Sequence, residues 1–149
     1  SPKGDPAGFV QVLDERTLAI PDRPGNRRFD SLVNLLENPQ IGLLFLVPGV
    51  EETLRVNGTA TIVRDEELLR RMTIQEKNPL LAIVVEVRES FLHCAKAFKR
   101  SHLWDAEAQI NRTELPSLAR MIGDQTNNAL CSVEELEGLI ADANRTTLY

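Results

Sequence analysis

The sequence predicts a mainly β domain with peripheral helices, and three observations carry that prediction. Apolar and polar residues alternate in a hairpin pattern from 9 to 20, two nearly continuous apolar runs lie at 41 to 47 and 81 to 87, and short amphipathic segments separate them. At 149 residues the chain holds one domain with a real core and is too short for two comfortable ones. The single domain is therefore 1 to 149, with 105 to 149 as a helical C-terminal extension.

Each element follows from its residues. Ser1-Pro2-Lys3-Gly4-Asp5 reads as the end of a strand running into a turn, as if the chain began part-way through a longer protein. Phe9, Val10, Val12 and Leu13, a polar Asp14-Glu15-Arg16 turn and then Leu18 to Ile20 make the hairpin. Residues 31 to 37 place Leu32, Leu35 and Leu36 at helical spacing, with Asp30 as the candidate N-cap. Asn38-Pro39 ends that helix, because a residue before proline avoids helical backbone. Residues 41 to 47 suit a strand buried on both faces, stopped by Pro48-Gly49. Residues 53 to 63 form its antiparallel neighbour, bent or bulged at Asn57-Gly58. Asp65 caps a helix through Leu68, Leu69 and Met72, and the next strand runs from Leu81 to Val87. Residues 91 to 104 read as an amphipathic helix with Leu92, Lys96 and Arg100 on one face. Pro116 opens a helix through Leu118, Met121 and Ile122, and Ser132-Val133-Glu134-Glu135 is a capping box for the last one.

Composition narrows the function. A net charge of −5 argues against a general nucleic-acid binder, which needs surplus Lys and Arg along a backbone. Two cysteines, no secretory signal and no long apolar span predict a reducing, cytoplasmic setting and no membrane segment. The three Asn-x-Thr triplets at Asn57, Asn111 and Asn144 are then chance occurrences. Paired ligand spacing for zinc is lacking around His93, Cys94, His102 and Cys131, and no nucleophile elbow, Walker loop or dinucleotide fingerprint occurs.

The segment most suggestive of chemistry is Pro24-Gly25-Asn26-Arg27-Arg28, where a strand hands over to a helix. Guanidiniums offer forked donors to phosphate oxygens, and the first N–H groups of a helix add unpaired donors and the positive end of the dipole. A solvated charged turn has the same composition, so the segment alone does not choose.

The order strand, Arg27-Arg28, helix, Asn38-Pro39, buried Gly42-Leu43-Leu44-Phe45 strand and then Thr53-Leu54-Arg55-Val56-Asn57-Gly58 resembles the pyridoxamine-phosphate-oxidase-like FMN-binding split barrels. The resemblance covers residues 1 to about 62 well, 80 to 104 loosely and the last 45 hardly at all. It implies a split β-barrel with helices at the rim and C-terminus, and a homodimer with FMN at the interface. It implies that Arg27 and Arg28 hold the FMN phosphate, with Asn26 and Ser31, while Pro21 and Asp22 pass the ring or ribityl chain. Lys3 and Ser1 fall where the family supplies a cation, and Thr53 where a polar side chain reaches the ring. Lys96, Arg100, Ser101 and Trp104 take the place of residues covering the partner's flavin. An amphipathic helix with its cations in water explains those four equally. The substrate-phosphate residues of a true pyridoxamine-phosphate oxidase have no counterpart, so vitamin B6 oxidation is not expected. The functions left are an FMN-dependent oxidoreductase on a small molecule, a flavin-binding or flavin-sensing module without turnover, and a deazaflavin-dependent reductase.

Overall fold

The computed structural model describes residues 1–25 and 28–149, in two units, Ser1–Trp104 and Asp105–Tyr149. Asn26 and Arg27, both expected in the phosphate clamp, lie outside the described residues.

The first unit is a five-stranded antiparallel sheet: β1 (Gln11–Asp14), β2 (Thr17–Asp22), β3 (Gln40–Phe45), β4 (Thr53–Val63) and β5 (Leu81–His93), in the order β1-β2-β5-β4-β3. Mainly β with helices around it is the predicted class. The Asp14 carboxylate closes the β1–β2 turn by accepting from the Arg16 N–H at 2.8 Å, and this bond, with help from Thr17, holds its pKa below the ordinary value.

Strand alternation splits the core into two layers. Ala19 and Ala82, cross-strand neighbours of Val84 and Pro21, leave room on one face for α2 (Glu66–Arg71), and Leu69 and Met72 pack there with Leu13 and Val63. One residue on, Ile20, Ile83 and Val85 point to the other face with Ala60, and Leu32 and Leu35 of α1 (Asp30–Glu37) cover them. Each Leu, Ile, Val or Met side chain of these layers contributes roughly 1.5–3 kcal/mol when fully removed from water.

The expected bulge is present: the β4–β5 register shifts between Asn57 and Gly58. Asp65 caps α2 as predicted, accepting from the Leu68 N–H at 2.8 Å.

Four expectations for this unit are corrected. Phe29, not Asp30, is the N-cap of α1 and gives no side-chain cap, because Asp30 already lies in the first turn, where it meets Arg28. β3 is not buried on both faces; as an edge strand it alternates, and Leu44 is 50% exposed. β5 runs on to His93, and only Lys96–Ser101 (α3) is helical, so Leu92 shares no helix face with Lys96. Cross-strand pairing of Phe91 with Arg55 and of His93 with Thr53 outweighs the helical spacing. Residues 1 to 5 form no strand; Asp5 instead makes a buried ion pair with Arg23 at 2.7 Å, and Arg23 also donates to the Met72 carbonyl at 2.6 Å.

The second unit holds short 3-10 turns at Ala106–Ala108 and Arg112–Glu114, then α4 (Leu118–Thr126) and α5 (Val133–Thr146). Pro116 does not itself enter the helix: Ser117 is the N-cap and accepts from the Arg120 N–H at 3.1 Å. The capping box of α5 is formed as read. Glu135 N–H donates to Ser132 Oγ at 3.2 Å, and the Ser132 N–H donates to Glu135 Oε2 at 2.9 Å.

That backbone bond, followed by the Ser132 hydroxyl, lowers the Glu135 pKa. A carboxylate whose folded pKa lies below its unfolded one stabilises the fold above the unfolded value, and the contribution is lost as pH falls through the folded one. Far-UV circular dichroism should therefore show helix content falling on acidification through that range, and Glu135→Gln should remove this part of the pH dependence.

Candidate functional site

Two groups of the expected cofactor residues sit at different ends of the sheet. The first gathers where β2 ends and α1 begins. Lys3 Nζ pairs with Asp22 Oδ1 at 2.5 Å, and Ser31 Oγ lies 3.2 Å from Ser1 Oγ. Arg28 Nη2 meets Asp30 at 2.9 Å, with both side chains largely in water. Pro21 is fully buried, opposite Ala82, so it presents no surface to a ligand in the single chain. β1 pairs no further along β2 than Ala19, which leaves Pro21 with one strand neighbour, the setting in which proline is tolerated.

This end has donors to spare. No described side chain caps α1, so no described side chain satisfies its first-turn N–H groups, which adjoin Arg28 and Ser31 in the chain. The described cations Lys3 and Arg28 already lean on Asp22 and Asp30, so an incoming anion has to compete for them.

The second group lies at the far end of β5. Thr53, 4% exposed, is paired with His93, and α3 follows directly. Trp104 stacks on Phe98 with ring centroids 5.9 Å apart, and its indole N–H donates to the Val50 carbonyl at 2.8 Å. Ser101 donates back to the Phe98 carbonyl, closing the helix on itself rather than presenting its hydroxyl outward. Lys99, not singled out by the sequence, ties α3 to Glu51 at 3.1 Å. Lys96 and Arg100 are exposed and make no ion pair among the described residues.

Asp22 is registered with Leu81 and Thr53 with His93, so twelve residue steps along β5, about 40 Å of strand at ~3.3 Å each, separate the groups.

Arg55 falls inside the Thr53-Leu54-Arg55-Val56-Asn57-Gly58 motif but is not among the residues expected at the site. It lies near the start of β4, on the same face as Thr53, and its Nε is shut off from water with no partner among the described residues. The available signal was a guanidinium inside an alternating strand, one rung from a position already under suspicion. An open cleft of about 470 Å³, lined by Gln40, Gly42, Asn57, Arg88 and Glu89 among others, contains none of the expected cofactor residues.

Among solved structures the chain is similar to an epitope- and polyhistidine-tagged HupZ of Group A Streptococcus, at 16% identity over 56% of this chain and 68% of that chain, with a TM-score of 0.46. It is similar to the same degree to a histidine-to-alanine variant of the Group A Streptococcus HupZ, at 16% identity over 57% of this chain and 73% of that chain, again with a TM-score of 0.46. No curated protein matches. The family described as pyridoxamine 5'-phosphate oxidase matches residues 1–94, which take in all five strands and both of the helices between them. This chain therefore belongs to the pyridoxamine 5'-phosphate oxidase family, a split-barrel family in which flavin binding is common.

Proposed function

We propose that this protein is a dimeric FMN-binding flavoprotein and an FMN-dependent oxidoreductase acting on a small molecule. The observation that carries the reading is the entry to α1. The first-turn N–H groups, which no described side chain caps, the Ser31 hydroxyl with Ser1 Oγ 3.2 Å from it, and the Arg28 guanidinium all belong to this entry. Donors of this kind suit a dianionic phosphate, which a helix N-terminus and guanidiniums both favour. Lys3 and Asp22 border the same place and would meet the ribityl chain or ring.

Bound FMN supplies hydride chemistry at its N5, and the protein sets its potential through charges and hydrogen bonds. The chain's own part is to bind, orient and shield. The about 40 Å of β5 between the phosphate end and the Thr53 end exceeds the length of one FMN, which favours contributions from two chains. The exposed apolar side chains support that arrangement. Leu54 and Leu92, cross-strand partners on one face, are 37% and 69% exposed, and among the described residues β5 beyond Val87 pairs with β4 on one edge only. A strand edge and apolar patch of this kind invite a second chain. Lys96, Arg100 and Trp104 would then lie against the partner's flavin.

No helix is long and apolar enough to cross a membrane among the described residues.

The purified protein should show flavin absorption bands and lose them on anaerobic reduction by NAD(P)H, with recovery on adding an acceptor. A colourless preparation that refuses added FMN overturns the reading. Bound flavin that no donor reduces replaces the oxidoreductase with a binding module, and the mass of the extracted ligand distinguishes FMN from a deazaflavin.

A further inference from the structure

We propose that Arg55 is the anion receptor of a second small-molecule site, one that takes a flat molecule bearing a carboxylate. Arg55 is registered between Leu44 of β3 and Phe91 of β5, so both cross-strand neighbours of its guanidinium are apolar. Along its own strand, Asn57 on the same face has given its amide to Glu89 at 2.6 Å. Glu51, four residues earlier in the chain, is paired with Lys99 at 3.1 Å. No described residue supplies an acceptor, and the Nε–H is out of reach of water.

An N–H hidden from solvent and left without an acceptor is destabilising, and native chains rarely keep one without use. A guanidinium is also the side chain best matched to a carboxylate, through two parallel hydrogen bonds. The flanks describe the rest of the ligand. Phe91 is 40% exposed and Leu44 50%, and the His93 ring lies against Phe91 with centroids 5.0 Å apart, so an open aromatic and aliphatic platform adjoins the cation. A planar ring can lie on that platform while its carboxylate meets the terminal Nη groups of Arg55, whose side chain is only partly buried, and draws the Nε–H toward it.

Thr53 is one rung away on the same face, at the position expected to meet the flavin ring. Naming this anion as the substrate of the flavin rests on the function proposed above; the anion site itself does not.

Benzoate is the probe, with benzamide as its uncharged isostere, titrated calorimetrically into the full chain with and without added FMN. Benzoate should bind and benzamide should not. Arg55→Met should weaken benzoate ~10-fold or more, and Arg55→Lys, which keeps the charge and loses the fork, should fall between. Arg55→Met should also unfold at no lower denaturant concentration than the parent, since it removes a buried unpaired donor. No benzoate binding up to about 50 mM, or equal binding by Arg55→Met, overturns the proposal. If benzoate fails to bind and Arg55→Met instead dissociates a dimer, the acceptor is a carboxylate of a second copy and the ligand site is refuted. Arg55-dependent benzoate binding by a chain that never takes FMN would uphold the site and sink the flavin reading alone.

Discussion

Arg27→Ala combined with Arg28→Ala is expected to weaken FMN binding by about 10²- to 10⁴-fold while leaving the fold intact. Each charge-assisted contact to a phosphate contributes roughly 1.5–3 kcal/mol, and two lost together give that range at 1.4 kcal/mol per decade. The fold should tolerate the change, because the Arg28 side chain is 73% exposed and its partner Asp30 67%. A surface ion pair of that kind stabilises a protein by about 0–1 kcal/mol. Flavin fluorescence titration gives the affinity, and urea denaturation of the flavin-free protein checks the fold. Asp30→Asn is the informative companion: it frees Arg28 from its carboxylate, so the same titration should show tighter binding. Unchanged affinity in the double variant would move the phosphate away from the entry to α1.

The residues that announced the fold were those whose local chemistry and tertiary role agree. Ser132 and Glu135 bond only to each other's neighbourhood, so their capping box is readable without knowing what α5 packs on. Asp65 before Leu68 is the same case. Ala19 and Ile20 alternate because the sheet has a helix on each face, and the alternation is visible in the chain. The errors arose where a distant strand decides. Residues 91 to 93 carry helical spacing toward Lys96, yet β4 captures them, and nothing local says so. β3 looks buried on both faces since its apolar run is continuous, whereas it is an edge whose outward Leu44 faces solvent in the single chain.

The candidate site was legible in its pieces and not in its assembly. A basic pair before a helix and a polar residue at Thr53 can be picked out one by one. That Ser1 reaches Ser31, that Lys3 rests on Asp22, and that Thr53 lies a whole strand away from them depends on register. Arg55 stayed hidden for a related reason: a charged residue in an alternating strand is ordinarily its solvent-facing half, and only burial of Nε distinguishes it.

Register along that strand is held by one glycine, and Gly58→Ala is expected to cost on the order of 3 kcal/mol or more. A Cβ built at Gly58 would lie 2.2 Å from the Glu86 carbonyl oxygen and 3.0 Å from Val85 Cγ1. The obstacle is backbone of the neighbouring strand, so no rotamer change relieves it, and β4 has to part from β5 at the bulge. Val85, fully buried in the layer beneath α1, would be pushed as well. The same substitution at Gly138 is the control. That glycine lies within α5 with nothing inside 4 Å of the built Cβ, so Gly138→Ala should stabilise the helix by about 0.5–1 kcal/mol. Denaturant melts followed by circular dichroism should thus shift in opposite directions for two identical changes. The loss at Gly58 should extend to ligands, because a one-residue slip of β4 turns its side chains to the opposite face and takes Thr53 and Arg55 away from His93 and Phe91. A Gly58→Ala protein as stable as its parent would mean that the close approach of β4 to β5 at this bulge is not what sets the strand register.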